Sequence, residues 1–222
     1  MVRSEEQNRL ARERSRESIL AAAIDLFSER GVDGASIAEI TRRAGVAQGL
    51  VSYYFGGKEQ LVAAVIDLWF EMVLGLSQAE GDADARLSGV IDGALMATAF
   101  VLPLQRAVLA MQQQPSTHRL FAESEERHAA AVHTAEDTVR GIFRERGADD
   151  PAVEEIMLRT TLEGIVVKYA VYGRTYPLEE ARRWVYRIYD LPRPAEPLPL
   201  APGQEPAPGE EPRPRAADSA GF

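Results

Sequence analysis

The sequence predicts an all-α protein in which a small N-terminal three-helix domain precedes a larger helical domain. Apolar residues recur at spacings of three and four along most of the chain, and no convincing run alternates as a strand does. Glycine and proline separate the periodic stretches. The 222 residues, of which 45% are hydrophobic, suffice for a small domain joined to a larger one.

The composition argues against catalysis. The chain has no cysteine, which excludes a disulfide framework, a thiolate zinc site and a cysteine nucleophile. Its three histidines lack metal-ligand spacing with acidic residues, and the sequence has neither a glycine-rich phosphate loop nor a nucleophile elbow. We therefore expect no catalytic residue, metal or cofactor, and a protein that is not an enzyme.

The sequence also predicts a cytoplasmic protein without a membrane partner. The first residues are charged rather than apolar, and the longest apolar run, 94–102, is far shorter than the roughly 20 residues that a membrane span needs. The net charge of −9 falls entirely in residues 61–222, because residues 1–60 are neutral. The N-terminal part is therefore neutral and the remainder acidic, so a polyanionic partner would be repelled by the larger part of the chain.

The N-terminal elements are predicted in order as a mobile charged arm at 1–13 and helix 1 at about 14–30. The arginines of the arm alternate with glutamates, which favours a solvated arm over insertion into a DNA groove. Gly31 ends helix 1 as a C-terminal capping glycine. Helix 2 begins after Ser36, because Ser36 and Glu39 have the spacing of a capping box, and it ends near Ala44.

A second short helix, at about 48–55, follows a tight turn at Gly45. Its residues Val51 and Phe55 lie on one face, which we expect to pack against helix 1. The other face would stay free, as in a helix-turn-helix whose second helix enters the major groove. That face carries Gln48, Gly49, Leu50, Ser52, Tyr53 and Tyr54.

Together these motifs resemble the TetR family of transcriptional regulators. The similarity covers about 50 residues in an ordered set: Ile19 to Gly31, Ala35 to Ile40, Ala44 to Gly49, Tyr53 to Phe55 and Gly57 to Leu61. It implies an N-terminal DNA-binding domain at 14–57 and a ligand-binding and dimerisation domain at 58–191. It does not extend to residues 80–222, where the family is known to diverge.

The resemblance implies a role for each DNA-binding residue. Gln48, Gly49, Leu50 and Ser52 match positions at which relatives approach bases, and Tyr53, Tyr54 and Lys58 match positions that hold phosphates. Ser36 would either touch a phosphate or act only as a cap. Ala47 stands where many relatives have a capping Ser or Thr. Leu50, Ser52 and Tyr54 also replace residues that are common in the family, so we expect the operator to differ from theirs.

A fourth helix is predicted to start at about Lys58, and further helices are predicted at about 85–101, 104–113, 117–146, 151–172 and 178–190. Some of their large side chains belong either to an ordinary core or to a small-molecule pocket. These residues are Trp69, Met72, Met96, Phe100, Met111 and His128. Asp92 and Glu163 could meet a cationic ligand, although such acids more often reach solvent.

The last two helices are the predicted dimer interface. Apolar and small residues form one stripe on each helix, and two such helices from each subunit would build a four-helix interface. The predicted residues are Thr160, Gly164, Val167, Val171, Ala181, Trp184, Val185 and Ile188. Residues 192–222 hold nine prolines and are predicted to be a disordered tail.

The sequence thus predicts a ligand-responsive repressor that acts as a homodimer on a pseudo-palindromic operator. Its partners would be double-stranded DNA and a small-molecule effector. The alternative is a helical ligand-binding or scaffold protein without functional DNA binding.

Overall fold

The computed structural model describes residues 2–75 and 80–199 of the chain, with side-chain surroundings from residue 6 onward. Within these ranges the chain forms nine α-helices and two short 3-10 helices, and it forms no β-strand, which confirms the all-α prediction. The helices are α1 (Val2–Arg30), α2 (Ile37–Ala44), α3 (Gly49–Phe55), α4 (Lys58–Leu74), α5 (Ala83–Phe100), α6 (Leu102–Gln112), α7 (His118–Glu145), α8 (Pro151–Tyr172) and α9 (Leu178–Ile188).

Side-chain caps define the beginnings of two helices, including the capping box predicted at Ser36. The Ser36 hydroxyl oxygen accepts a hydrogen bond from the Glu39 backbone, and the Glu39 carboxylate accepts one from the Ser36 backbone, so the capping box is complete. Asp150 caps α8 by accepting hydrogen bonds from the backbone of Ala152 and Val153.

Helix α1 is longer than predicted. We expected it to begin at Arg14, but it begins at Val2, so the predicted charged arm is the first half of the helix. Residues 2–18 contain no glycine or proline and are rich in strong helix formers. An ion pair of 3.0 Å between Arg9 and Glu13, one turn apart, supports the exposed helix further.

A first hydrophobic core joins α1, α2, α3, α4 and α6. Phe27 of α1, Ile40 of α2, Leu61 of α4 and Met111 of α6 are all fully buried in it. The predicted domain boundary between residues 57 and 58 therefore does not divide the hydrophobic cores, because α4 and α6 complete the core under the N-terminal helices.

A second core joins α5, the end of α7, α8 and α9. It also includes Leu191 and Leu198, each 8% exposed, from the segment that follows α9. The prediction of a disordered tail from Pro192 onward is therefore wrong for residues 192–199. An extended proline-rich segment can still place single leucines into a groove, although it forms no helix. The rest of the predicted tail lies outside the described residues.

Between residues 2 and 75 and between 80 and 199, no helix by itself has the length and apolar character to span a membrane. Helices α5 and α6 reach the length and apolar character of a membrane span only when they are counted together, and a bend of 91° separates them.

Candidate nucleic-acid interface

Helix α3 is anchored by one face and exposes the other. Val51 is fully buried and Phe55 is 9% exposed, and both belong to the first core. On the opposite face Gln48, Ser52 and Tyr53 are exposed. A helix of seven residues is not stable alone, so the core beneath it both forms and orients it.

The turn before α3 is fixed by backbone hydrogen bonds. Gly45 has a positive φ of 67°, the left-handed region that a side chain disfavours, and its N–H donates to the end of α2. The N–H of Val46 then donates to the carbonyl of Thr41 over 3.0 Å. Val46 packs against the first core, which holds the turn to the body of the domain.

The side chain at the start of α3 does not cap the helix. Gln48 is the N-cap residue but makes no side-chain capping hydrogen bond. Beside it, a Cβ added to Gly49 would find no atom within 4 Å. The Gln48 amide and the bare backbone at Gly49 therefore meet open space at the start of the helix.

Two residues of the predicted free face are only partly free. Leu50 and Tyr54 are half-buried and pack against the first core, so the prediction of a fully free face is corrected for both. The Tyr54 ring meets the Tyr53 ring edge to face, with 4.9 Å between centroids. Tyr53, at 66% exposure, is the tyrosine that projects from the surface.

Ser36 and Lys58 lie at the beginnings of α2 and α4. The Ser36 hydroxyl donates to the Glu39 carboxylate over 2.8 Å, so the donor is already used inside the protein. This hydrogen bond, with the backbone N–H of Ser36 and the nearby Arg30, lowers the pKa of Glu39. Lys58 is half-exposed at the N-terminus of a 17-residue helix, where backbone N–H groups favour an anion.

Arg16, for which the alternating charges favoured a purely solvated position, contacts the end of α3. Its guanidinium lies over the Phe55 ring, 5.1 Å from the centroid, at the end of α3. The spacing of Arg9, Arg12 and Arg16 along one helix face is the signal that could have identified it.

The six predicted ligand residues differ in their burial. Met111 is fully buried in the first core, whereas Met96 and Phe100 are 36% and 47% exposed. Trp69, Met72 and His128 are half-buried. Two surface grooves, of about 350 and 300 Å³, lie along α4 and α7 and beside the end of α6, and none of the six residues lines either.

Polar and aromatic contacts do connect α4 with α6 and α7. The Trp69 indole donates to the Gln105 side chain over 3.1 Å, and the Phe70 ring stacks on His128. Asp67 accepts hydrogen bonds from Ser124 and Arg127 over 2.5 and 2.8 Å. Helix α4 is therefore joined by side-chain contacts to both α6 and α7, and α3 precedes it directly in the chain.

The acids suggested as cation partners have different surroundings. Asp92 receives two hydrogen bonds from Arg182, of 2.6 and 2.7 Å, so its charge is already compensated. Burial by itself would lower the pKa of Arg182, but the interactions with Asp92 raise it. Glu163 is exposed on α8.

The predicted dimer residues are mostly exposed. Thr160, Gly164, Val167 and Val171 form an open stripe on α8, and Trp184 and Ile188 are about half exposed on α9. Ala181 is half-buried against the second core. Val185 is fully buried there, so its predicted place in the interface is wrong, because it faces its own chain.

Comparisons with known proteins agree with this arrangement. A family model described as bacterial regulatory proteins of the tetR family matches residues 19–65, which include α2, α3 and the start of α4. The transcriptional regulator BetI of Ectopseudomonas mendocina is 29% identical over 190 residues, covering 79% of this chain and 92% of its own. A transcriptional repressor of Mycobacterium tuberculosis is 45% identical over 73 residues, covering 33% of this chain and 39% of its own.

The solved structures show the same fold. The fatty acid degradation regulator FadR of Bacillus halodurans superimposes with a TM-score of 0.65 at 18% identity, covering 78% of this chain and 93% of that one. The helix-turn-helix, the matching family model and the regulators among its relatives agree: residues 19–65 form a TetR-family DNA-binding domain, and the chain is a TetR-like DNA-binding transcriptional regulator, like its relatives, which are not enzymes.

Proposed function

We propose that this regulator is a homodimeric, effector-responsive repressor whose two α3 helices read a pseudo-palindromic operator. The observation that carries the proposal is the exposed, uncharged face of α3, which is held outward by a core that buries Val51 and Phe55. A helix presented in this way fits the major groove, and two of them about one DNA turn apart match a twofold site.

The proposed contacts divide into those that read bases and those that hold phosphates. Gln48 presents an amide that suits the adenine edge, while Gly49 permits close approach of the backbone. Leu50 and Ser52 follow on the same surface and would meet bases through an apolar edge and a hydroxyl. The proposed phosphate contacts are Tyr53, Tyr54, Lys58 and Ser36.

An uncovered apolar face on α8 and α9 supports the dimer. Val171 is 59% exposed, Trp184 is 47% exposed and Ile188 is 52% exposed. Ile156, Met157 and Tyr172 of α8 are also about half exposed, although the sequence prediction did not include them. Apolar residues concentrated on two neighbouring helices are typical of a helical interface that a second copy covers.

The effector response follows from the connections of α4. Because α4 is joined to α6 and α7 by side-chain contacts and to α3 by two glycines, a ligand that displaces α6 or α7 would change the spacing of the paired α3 helices. A useful switch needs the ligand to prefer the non-binding conformation by several kcal/mol.

Two measurements test the proposal. Selection from random duplex DNA should enrich two inverted half-sites, and sedimentation should give a dimer. Val171→Glu should yield a monomer that binds the selected duplex much more weakly, because a charge would be buried in the interface. The control is Val73→Glu, which changes an exposed valine on α4 instead of α8 and should leave the dimer intact. A monomeric wild type, or selection of no common sequence, would contradict the proposal.

A further inference from the structure

The N-terminal half of α1 is a long exposed helix that extends beyond the core. Ile19 is the first fully buried residue of α1, and residues 6–18 are almost all exposed. With 1.5 Å per residue, the 17 residues from Val2 to Ser18 extend for about 25 Å. Such a helix buries little apolar surface, so packing within its own chain does not explain it.

The charges of this extension are sorted by face. At about 100° per residue, Arg9, Arg12 and Arg16 fall within an arc of about 60°. The glutamates Glu6, Glu13 and Glu17 fall within a second arc, rotated by about 90° from the first. The helix therefore has an arginine face and a neighbouring glutamate face, although residues 6–18 together are nearly neutral.

The arginine face continues the core-facing side of α1. Ile19, Ala23 and Phe27 are fully buried and lie on the same side further along the helix, within the arginine arc or about 20° from it. One side of α1 is thus apolar and packs on the core from residue 19 onward. The same side is basic in residues 6–18, where the helix extends beyond the core.

Contact with α3 fixes where that basic face lies. The Arg16 guanidinium stacks over Phe55, the last residue of α3, and Lys58 follows three residues later at the start of α4. The arginine face therefore reaches the C-terminal end of α3, three residues before the proposed phosphate contact Lys58.

We propose that Arg9, Arg12 and Arg16 form a second DNA contact, which binds the phosphate backbone flanking the sequence that α3 reads. The proposal rests on the proposed function of α3. Arginine suits phosphate because its planar guanidinium donates two parallel hydrogen bonds. Contacts of this kind increase affinity for all sequences and carry no base preference.

The helix itself offers a matched control. Arg14 lies on the same exposed extension but about 170° from the centre of the arginine face. Arg12→Ala and Arg14→Ala remove the same charge and the same side chain, two residues apart, and both keep a strong helix former. Their difference therefore reports the direction of the contact rather than the net charge.

The test measures binding of the full chain to a duplex selected by the wild type, by fluorescence anisotropy over a range of salt concentrations. Arg12→Ala should weaken binding about three- to tenfold. It should also reduce by about 1 the salt slope, which is the steepness with which the logarithm of the binding constant falls with the logarithm of salt concentration. The triple change of Arg9, Arg12 and Arg16 to Ala should reduce the salt slope by about 2 to 3. Arg14→Ala should bind as the wild type does.

Two results would overturn the inference. One is a triple variant that binds with wild-type affinity and salt slope, which would make the face merely solvated. The other is equal weakening by Arg14→Ala and Arg12→Ala, which would indicate a general charge effect. Gln48→Ala tests the α3 proposal separately. Only that proposal predicts that Gln48→Ala alters the selected sequence, so the arginine face can fail while the role of α3 stands.

Discussion

At the scale of single residues, the proposed division between base reading and phosphate contact is directly testable. Gln48 makes no capping hydrogen bond, so its amide is available to a base edge. Gln48→Ala should lose about 1 to 3 kcal/mol of discrimination at one position of each half-site, because an amide that pairs two atoms of an adenine is removed. Competition between operator variants measures this loss.

The matched control for Gln48 is Gln112→Ala, which removes an exposed glutamine at the end of α6. It should leave sequence preference unchanged. Equal effects of the two substitutions would show that Gln48 does not read a base.

Lys58 is predicted to act on all DNA alike. Lys58→Ala should weaken binding to every duplex and lower the salt slope by about 1, because one phosphate contact and its released counterion are lost. Titration of specific and random duplexes at several salt concentrations measures both effects. Arg144→Ala, which removes an exposed cation from α7, is the control and should change neither quantity. Loss confined to one sequence would contradict the phosphate role.

At the scale of elements, the helix-turn-helix depends on local caps as well as on the core. Ser36→Ala should lower the free energy of unfolding by about 1 kcal/mol, because the N-terminal backbone of α2 loses its acceptor and Glu39 loses the hydroxyl donor. Thermal or denaturant unfolding measures the change.

Ser52→Ala is the control for this cap. Ser52 is exposed on α3 and does not cap a helix, so its removal should change the unfolding free energy by less than about 0.5 kcal/mol. If Ser36→Ala were as mild as Ser52→Ala, the capping box would contribute nothing measurable to stability.

At the scale of the whole molecule, the segment after α9 closes the second core. Leu198 is buried, its backbone N–H donates to Glu179 over 3.2 Å, and Arg182 donates to the carbonyl of Glu196 over 2.8 Å. A chain ending at Leu191 should be less stable by about 1 to 3 kcal/mol, mainly because the burial of one leucine is lost. Chemical denaturation measures the difference.

The comparison chain for this truncation ends at Pro199 and keeps all of these contacts. It should unfold with the free energy of the full chain. Equal stability of the two truncated chains would show that the packed segment does not contribute.

Much of the architecture follows from the sequence alone. The capping box at Ser36, the glycine at position 45 and the helical spacing of Val51 and Phe55 determine α2, the turn and the buried face of α3. These features act between residues that are near neighbours in the chain, so local stereochemistry and periodicity are enough to predict them.

Only the tertiary structure decided which apolar faces the chain itself covers. It buried Val185 and Met111, left Trp184 exposed, and drew Leu50, Tyr54 and Leu198 into the cores. It also continued α1 through residues that the charge pattern had assigned to an arm. The physical reason is that a periodic sequence identifies an apolar face but not its partner, because partners far apart in the chain meet only after folding.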